Sequence, residues 1–348
     1  DINHPHLIVS GKASMGTSMA LANLKYFPIS LANEFHGFDG TGPLDLSIHL
    51  DLPFKNHFKG HSYSGNLAFD DSQLVLPWYN IALNDIRGSI QFDNSNVHAN
   101  NLSAQLFGNV ADFNITTNPV IKQQKIIVRS ILPAAILHQY LGWDFLSKIT
   151  GSAPYKSIIL LNNTNNKSSS LAFFSSLQGI GVGLPFPLHK NASSISPFEL
   201  NMSFPTLKDH FSDLTIKNGN HLNARLILTK DTSKYTLKRG VVSVGNVQSK
   251  LSKDPGLDLF VFAKKLDWSK WWRCFHGPSG KGQDIPIREI YLQTPLLDFY
   301  GQMIRTAYVE AFNLKPNWRI NINSENAVGS VVAYFNKTAP DYLAKFSR

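Results

Sequence analysis

At 348 residues, with 43% hydrophobic and 16% charged side chains, the chain has the makings of a folded protein and not of a disordered tail. Its 33 Lys and Arg against 24 Asp and Glu give a net charge of +9, which suits anionic partners, yet no dense basic run supports a grip on nucleic acid. A single cysteine, Cys274, excludes an internal disulfide framework and a Cys-rich metal site, and no apolar run reaches the roughly 18 residues of a membrane span.

The first strong pattern is an alternation in which Leu44, Leu46, Ile48, Leu50 and Leu52 are separated by Asp45, Ser47, His49 and Asp51. Gly65-Asn66-Leu67-Ala68-Phe69-Asp70 then recurs 23 residues later as Gly88-Ser89-Ile90-Gln91-Phe92-Asp93. Successive strand side chains point to opposite faces, so a period of two predicts a sheet with one apolar and one polar face. Strands are expected at 44–52, 64–69, 73–76, 80–84, 87–92, 96–106 and 109–116, with turns at Asp70-Asp71 and Asp93-Asn94-Ser95-Asn96. The spacing of Ile131, Ala134, Ala135, Leu137, Tyr140, Leu141, Phe145 and Leu146 predicts a helical insert over 129–149, closed by Gly151 and Pro154.

Strands resume at 155–162 and 169–176 around a polar turn, Asn162 to Lys167, and Gly179 to Pro187 reads as an extended loop. Further strands are expected at 197–203, 222–229, 234–239, 241–248, 257–263, 287–294, 297–300, 303–312, 317–323 and 327–334. A second helix is expected at about 267–275, where Trp268, Lys270, Trp271, Trp272 and Arg273 offer either a Trp-anchored helix or a membrane-surface contact. The fold class is therefore mainly β, a long antiparallel sheet with two short helical inserts. Its apolar face needs a partner, which could be a second sheet, the same sheet curled over, or lipid.

Catalytic chemistry is hard to find. His57 and His61 have a metal-ligand spacing but lie among Lys, Gly and aromatic residues with no third ligand, and His4 and His6 only flank Pro5. Gly277-Pro278-Ser279-Gly280-Lys281-Gly282 lacks the Walker spacing and ends in Gly282 where Ser or Thr would hold Mg²⁺. No nucleophile elbow and no distinctive carboxylate pair occurs. Neither metal nor cofactor is expected, and the chain is not read as an enzyme.

Ser175-Ser176-Leu177-Gln178-Gly179-Ile180-Gly181-Val182-Gly183-Leu184-Pro185-Phe186-Pro187-Leu188-His189-Lys190 resembles a signature of the YhdP family of AsmA-like envelope proteins in Gram-negative bacteria. Ser176 stands where that signature usually carries an acid. Ile149 to Tyr155, Leu297 to Gln302 and Trp318 to Gly329 are similar to other family segments in the same order, so the resemblance spans the chain. It implies a bridge-type lipid carrier whose curled β-sheet forms an apolar-lined trough between inner and outer membrane. The chain would be one elongated β-trough segment, 1–348, with a sub-division into 1–128 and 151–348 around the insert at 129–149. It opens mid-pattern, so it would be a periplasmic piece of an inner-membrane-anchored protein whose anchor lies outside it.

On that reading the lipid-binding groove is lined by Leu44, Leu46, Ile48, Leu50, Leu67, Phe69, Ile90, Phe92, Leu102 and Leu106, and further along by Leu226, Leu228, Leu259, Val261, Ile290, Leu292, Ile320 and Ile322. Asp45, His49, Asn66, Gln91, Arg225, Asp258 and Asn321 are expected on the watered face. The partner is phospholipid and not nucleic acid. The competing expectation is a scaffolding envelope β-protein whose apolar face packs on itself and carries no ligand.

Overall fold

The computed structural model describes residues 6–23, 39–53, 62–76, 81–141, 144–162, 168–204, 211–231, 234–247, 249–275, 287–315, 317–335 and 340–347. The chain divides into two compact units, the first made of Asp1–Leu132, Pro154–Phe173 and Phe204–Asp209, the second of Pro133–Ala153, Phe174–Ser203 and His210–Arg348. The fold is mainly β in both, with three short α-helices and one 3-10 turn among the described residues. His4, His57, His61, the turn at 163–167 and the 277–282 loop lie outside the described residues.

Unit 1 opens with β1 (His6–Gly16), α1 (Thr17–Asn23) and β2 (Asp39–Thr41), then continues through β3 (Pro43–Pro53), β4 (Ser62–Leu76), β5 (Ile81–Asp93), β6 (Val97–Leu106), β7 (Asn109–Asn118) and β8 (Gln123–Pro133). Antiparallel pairing runs in series from β1 through β3, β4, β5, β6 and β7 to β8, and β2 joins the far end of β4. The expected turn at Asp70-Asp71 is instead a bulge, so 64–69 and 73–76 are one strand. Asp71 sits at φ 60°, a left-handed conformation that Asp tolerates better than most residues, and Asp85 plays the same part in β5 at φ 51°. The Asp93 turn is real, because its Oδ1 accepts hydrogen bonds from the amides of Ser95 and Asn96.

After β8 come α2 (Ala135–Leu141), a 3-10 turn at Asp144–Lys148, β9 (Ile149–Asn162) and β10 (Ser170–Ser175). The expected helix over 129–149 is thus shorter, and Gly151 and Pro154 lie inside a strand. Unit 2 then adds β11 (Ile180–Val182), β12 (Phe198–Ser203), β13 (Phe211–Asn218), β14 (Leu222–Asp231), β15 (Lys234–Val244), β16 (Gly256–Phe262), β17 (Leu266–Asp267), α3 (Trp268–Phe275), β18 (Ile287–Phe299), β19 (Gln302–Asn313), β20 (Asn317–Asn323), β21 (Val328–Phe335) and β22 (Pro340–Ser347). Pairing again runs in series from β12 to β16, then to β18 and on to β22.

The sheet is mixed where alternation alone predicted an antiparallel one. β15 with β16, β16 with β18 and β17 with β18 are parallel. A parallel neighbour needs a crossover. The first lies between β15 and β16 and is anchored where Ser249 Oγ meets Ser243 Oγ. The second lies between β16 and β18 and contains α3.

Candidate functional site

Cross-strand partners share a face. In unit 1 the row Ala13, Leu46, Leu67, Ile90 crosses four strands, and the row Met15, Leu44, Phe69 runs beside it. Phe92 opposes Val97, and Leu102, Ala104 and Leu106 continue that face onto Phe113, Ala111 and Asn109. Serine, asparagine, histidine and acid residues occupy the reverse face, where Ser47, Asn66, Gln91 and His98 form a row. The bulges preserve this sidedness. Apolar positions in β4 shift from Leu67 and Phe69 to Leu74 and Leu76 across Asp70–Ser72, and those in β6 shift from Val97 and Ala99 to Leu102, Ala104 and Leu106.

Unit 2 carries a longer row. Leu200, Ile216, Ala224, Val242, Leu259, Ile290, Ala311, Ile320, Val331 and Ala344 are successive partners across ten strands, each of them apolar. Beside it Leu222, Val244, Val261, Leu292, Val309 and Ile322 form a parallel row, and Leu214, Leu226 and Gly240 another. Leu228 lies on the same face opposite Ser212 and Leu237. The ten groove candidates of unit 1 thus share one face of that unit, and the eight of unit 2 share one face of theirs. Leu44, Phe92, Leu106 and Leu292 are buried, whereas the other fourteen are half-buried.

Two features thicken these faces locally. In unit 1, Leu106, Ala111 and Val128 form a packed cluster with Ile81, Leu83, Phe113 and Ile126. In unit 2, α3 lies on the sheet, and Trp268 and Trp271 pack against a cluster of Leu266, Leu292, Leu297 and Ala307. These two indoles therefore face the sheet and not outward, while Lys270 and Arg273 are exposed; the side chain of Trp272 lies outside the described residues. Asp267 caps the helix. Burial raises its pKa, but hydrogen bonds from Lys270 N, Ser269 Oγ and Lys270 Nζ outweigh that and hold it at about 2.

The loop of the sequence signature is tied to this helix, because Trp271 Nε1 donates to Phe186 O at 3.0 Å. Lys190 fastens the loop internally: its Nζ donates to the carbonyls of Leu177 and Ile180 at 2.8 Å each and of Asn191 at 3.1 Å. Burial lowers the pKa of this ammonium below the ordinary lysine value. Spacing alone identified the loop but not this clamp, since the acceptors are main-chain carbonyls and carry no side-chain signal.

Asp258 corrects the expectation of a watered side chain. It is 3% exposed, and Arg288 binds it with both Nε and Nη2, at 2.9 and 2.6 Å. Arg288 also reaches Glu289 and, at 3.5 Å, the exposed Asp254. On the polar face of unit 1, Ser10, Lys12, Ser47, His49, Asn66, Gln91 and His98 line an open depression of about 840 Å³. Among the described residues no group of three or more His, Cys, Asp or Glu is placed to hold a metal, and no helix is long and apolar enough to cross a membrane.

The family model of the YhdP protein matches residues 1–346. The chain belongs to the YhdP family. A curated relative, the intermembrane phospholipid transporter YhdP of Escherichia coli (strain K12), is 23% identical over 281 residues. That match covers 75% of this chain and 20% of the relative, so the chain spans about a fifth of the YhdP relative's length. No solved structure matches it. The sequence segments that resembled the family are the signature loop, the start of β9, the β18–β19 hairpin and β20–β21.

Proposed function

We propose that the chain is a lipid-carrying segment of an intermembrane phospholipid transporter, and that the apolar faces of both units are the floor on which acyl chains lie. It would act in the periplasm, as part of a longer membrane-anchored protein working between the inner and outer membranes, and not as an enzyme. The observation that carries this reading is the ten-strand apolar row from Leu200 to Ala344, flanked by further half-buried aliphatic residues. A contiguous apolar patch left partly open to solvent commonly marks a surface that binds something. Each acyl methylene shielded from water contributes about 0.8 kcal/mol, so ten of them offset about 8 kcal/mol of the cost of leaving a bilayer.

The scaffold reading draws on the packed cluster around Leu106, Ala111 and Val128, which needs no ligand. One experiment separates the two. Photo-crosslinking groups at Leu46, Leu67, Leu226 and Ile320, and at Asn66, Gln91, Arg225 and Asn321, are activated in the presence of phospholipid, and adducts are weighed by mass spectrometry. Capture confined to the first set supports the carrier. Equal capture by both sets, or none by either, favours the scaffold.

A further inference from the structure

We propose that the surface around α3 is a headgroup-reading station on the lipid-carrying face of unit 2, selective for anionic phospholipid. The inference rests on the reading of that face as an acyl-chain floor. Its first support is that α3 is where a charged, exposed surface meets the floor. Trp268 and Trp271 pack on a cluster that includes Leu292, and Leu292 stands in the apolar row between Val261 and Val309. Indole rings suit such a boundary, and Trp271 has its body on the cluster while its Nε1–H donates to Phe186 O.

The second support is charge. Lys264, Lys265, Lys270 and Arg273 are all exposed, and Asp267 is the sole acid between residues 264 and 273. That carboxylate is already committed to the first turn of α3 and to Lys270 Nζ at 3.1 Å. The 3-10 turn Asp144–Lys148 packs against α3 and brings a further exposed cation, Lys148. A phosphate held above Trp268 would therefore meet several cations while its acyl chains lie toward Val261 and Leu292. Phosphatidylglycerol offers that phosphate with its charge uncompensated. Phosphatidylcholine carries its own cation, which the same cluster repels.

The test places a benzophenone at Val261, and at Leu200 as a floor position four strands away, and exposes the chain to vesicles of phosphatidylcholine with and without phosphatidylglycerol. At Val261 phosphatidylglycerol should be captured in excess of its share. The double variant Lys264→Gln, Lys265→Gln, which leaves the Asp267 cap untouched, should lower that ratio about fivefold per cation removed, as expected for single basic residues near an anionic surface. Lys264→Arg, Lys265→Arg should keep it, and added salt should abolish the preference. Capture at both positions with no preference, or a preference indifferent to the double variant and to salt, overturns the station and leaves the floor standing. Absence of capture at both positions overturns the floor, and the station with it.

Discussion

A single cation on the apolar face should act as a barrier to lipid, and Leu226→Arg is the sharpest case. Leu226 is mid-strand in β14, half-buried, opposite Leu214 on one side and Gly240 on the other. Its Cδ2 occupies the space above Gly240 so closely that a Cβ built there would lie 2.6 Å away. Replacing it removes apolar burial worth about 1–2 kcal/mol of stability, which a folded sheet survives. A guanidinium against hydrocarbon costs roughly 3 kcal/mol after partial snorkelling. That is about a 150-fold loss of occupancy for acyl chains at this position. Asn223→Asp, in the same strand but on the reverse face opposite Lys217 and Ser243, should load lipid as the parent does. Phospholipid per protein is counted by mass spectrometry, with circular dichroism confirming the fold. Folded Leu226→Arg protein that loads a full complement of lipid would refute the reasoning.

Lys190→Met strips a charged donor from three carbonyls and should loosen the 177–191 loop by about 2–3 kcal/mol; hydrogen exchange at Ile180 and Val182 should quicken, and unchanged protection would count against the clamp. Asp258→Ala leaves Arg288 without its main partner and should cost about 3–5 kcal/mol in urea unfolding, whereas Asp254→Ala, at a side chain 72% exposed, should cost under about 1 kcal/mol. Equal costs would contradict the network. The capping carboxylate of Asp267 has a depressed pKa, so its contribution is fully present above the unfolded value near 4 and is lost as pH falls toward about 2. Tryptophan emission should shift over that window, and the shift should shrink in Asp267→Asn; an identical titration in both proteins would discount the cap.

Sidedness was legible from sequence because it is local: alternation at Leu44 to Leu52 and at Leu222 to Leu228 needs only the pleat of one strand. Bulges were misread because Asp70-Asp71 has the same chemistry as a turn, and only pairing with β5 distinguishes them. The parallel pairings of β15, β16 and β18 arise from crossovers, which leave no periodic trace. β1 escaped because Gly11, Ser10 and Lys12 dilute its alternation, and β13 because its apolar residues are few. Asp258 follows the alternation faithfully; its burial and its bidentate bond to Arg288 of β18 are tertiary events that alternation does not carry.

The bulges also set a rule for how such a chain can change length. Since one face is aliphatic and the other mostly polar, a single inserted or deleted residue within a strand turns everything beyond it inside out, while two leave it unchanged. Asp70–Ser72 in β4 and the step from Ala99 to Leu102 in β6 are places where an odd residue is already absorbed. Gly88, opposite the β6 bulge, is fixed as glycine, since a Cβ there would lie 2.1 Å from the Asn101 carbonyl oxygen. Among distant relatives, gaps within strands should therefore come in pairs or coincide with bulges. Viewed this way the sheet has a reading frame of two, and its bulges are the compensating frameshifts.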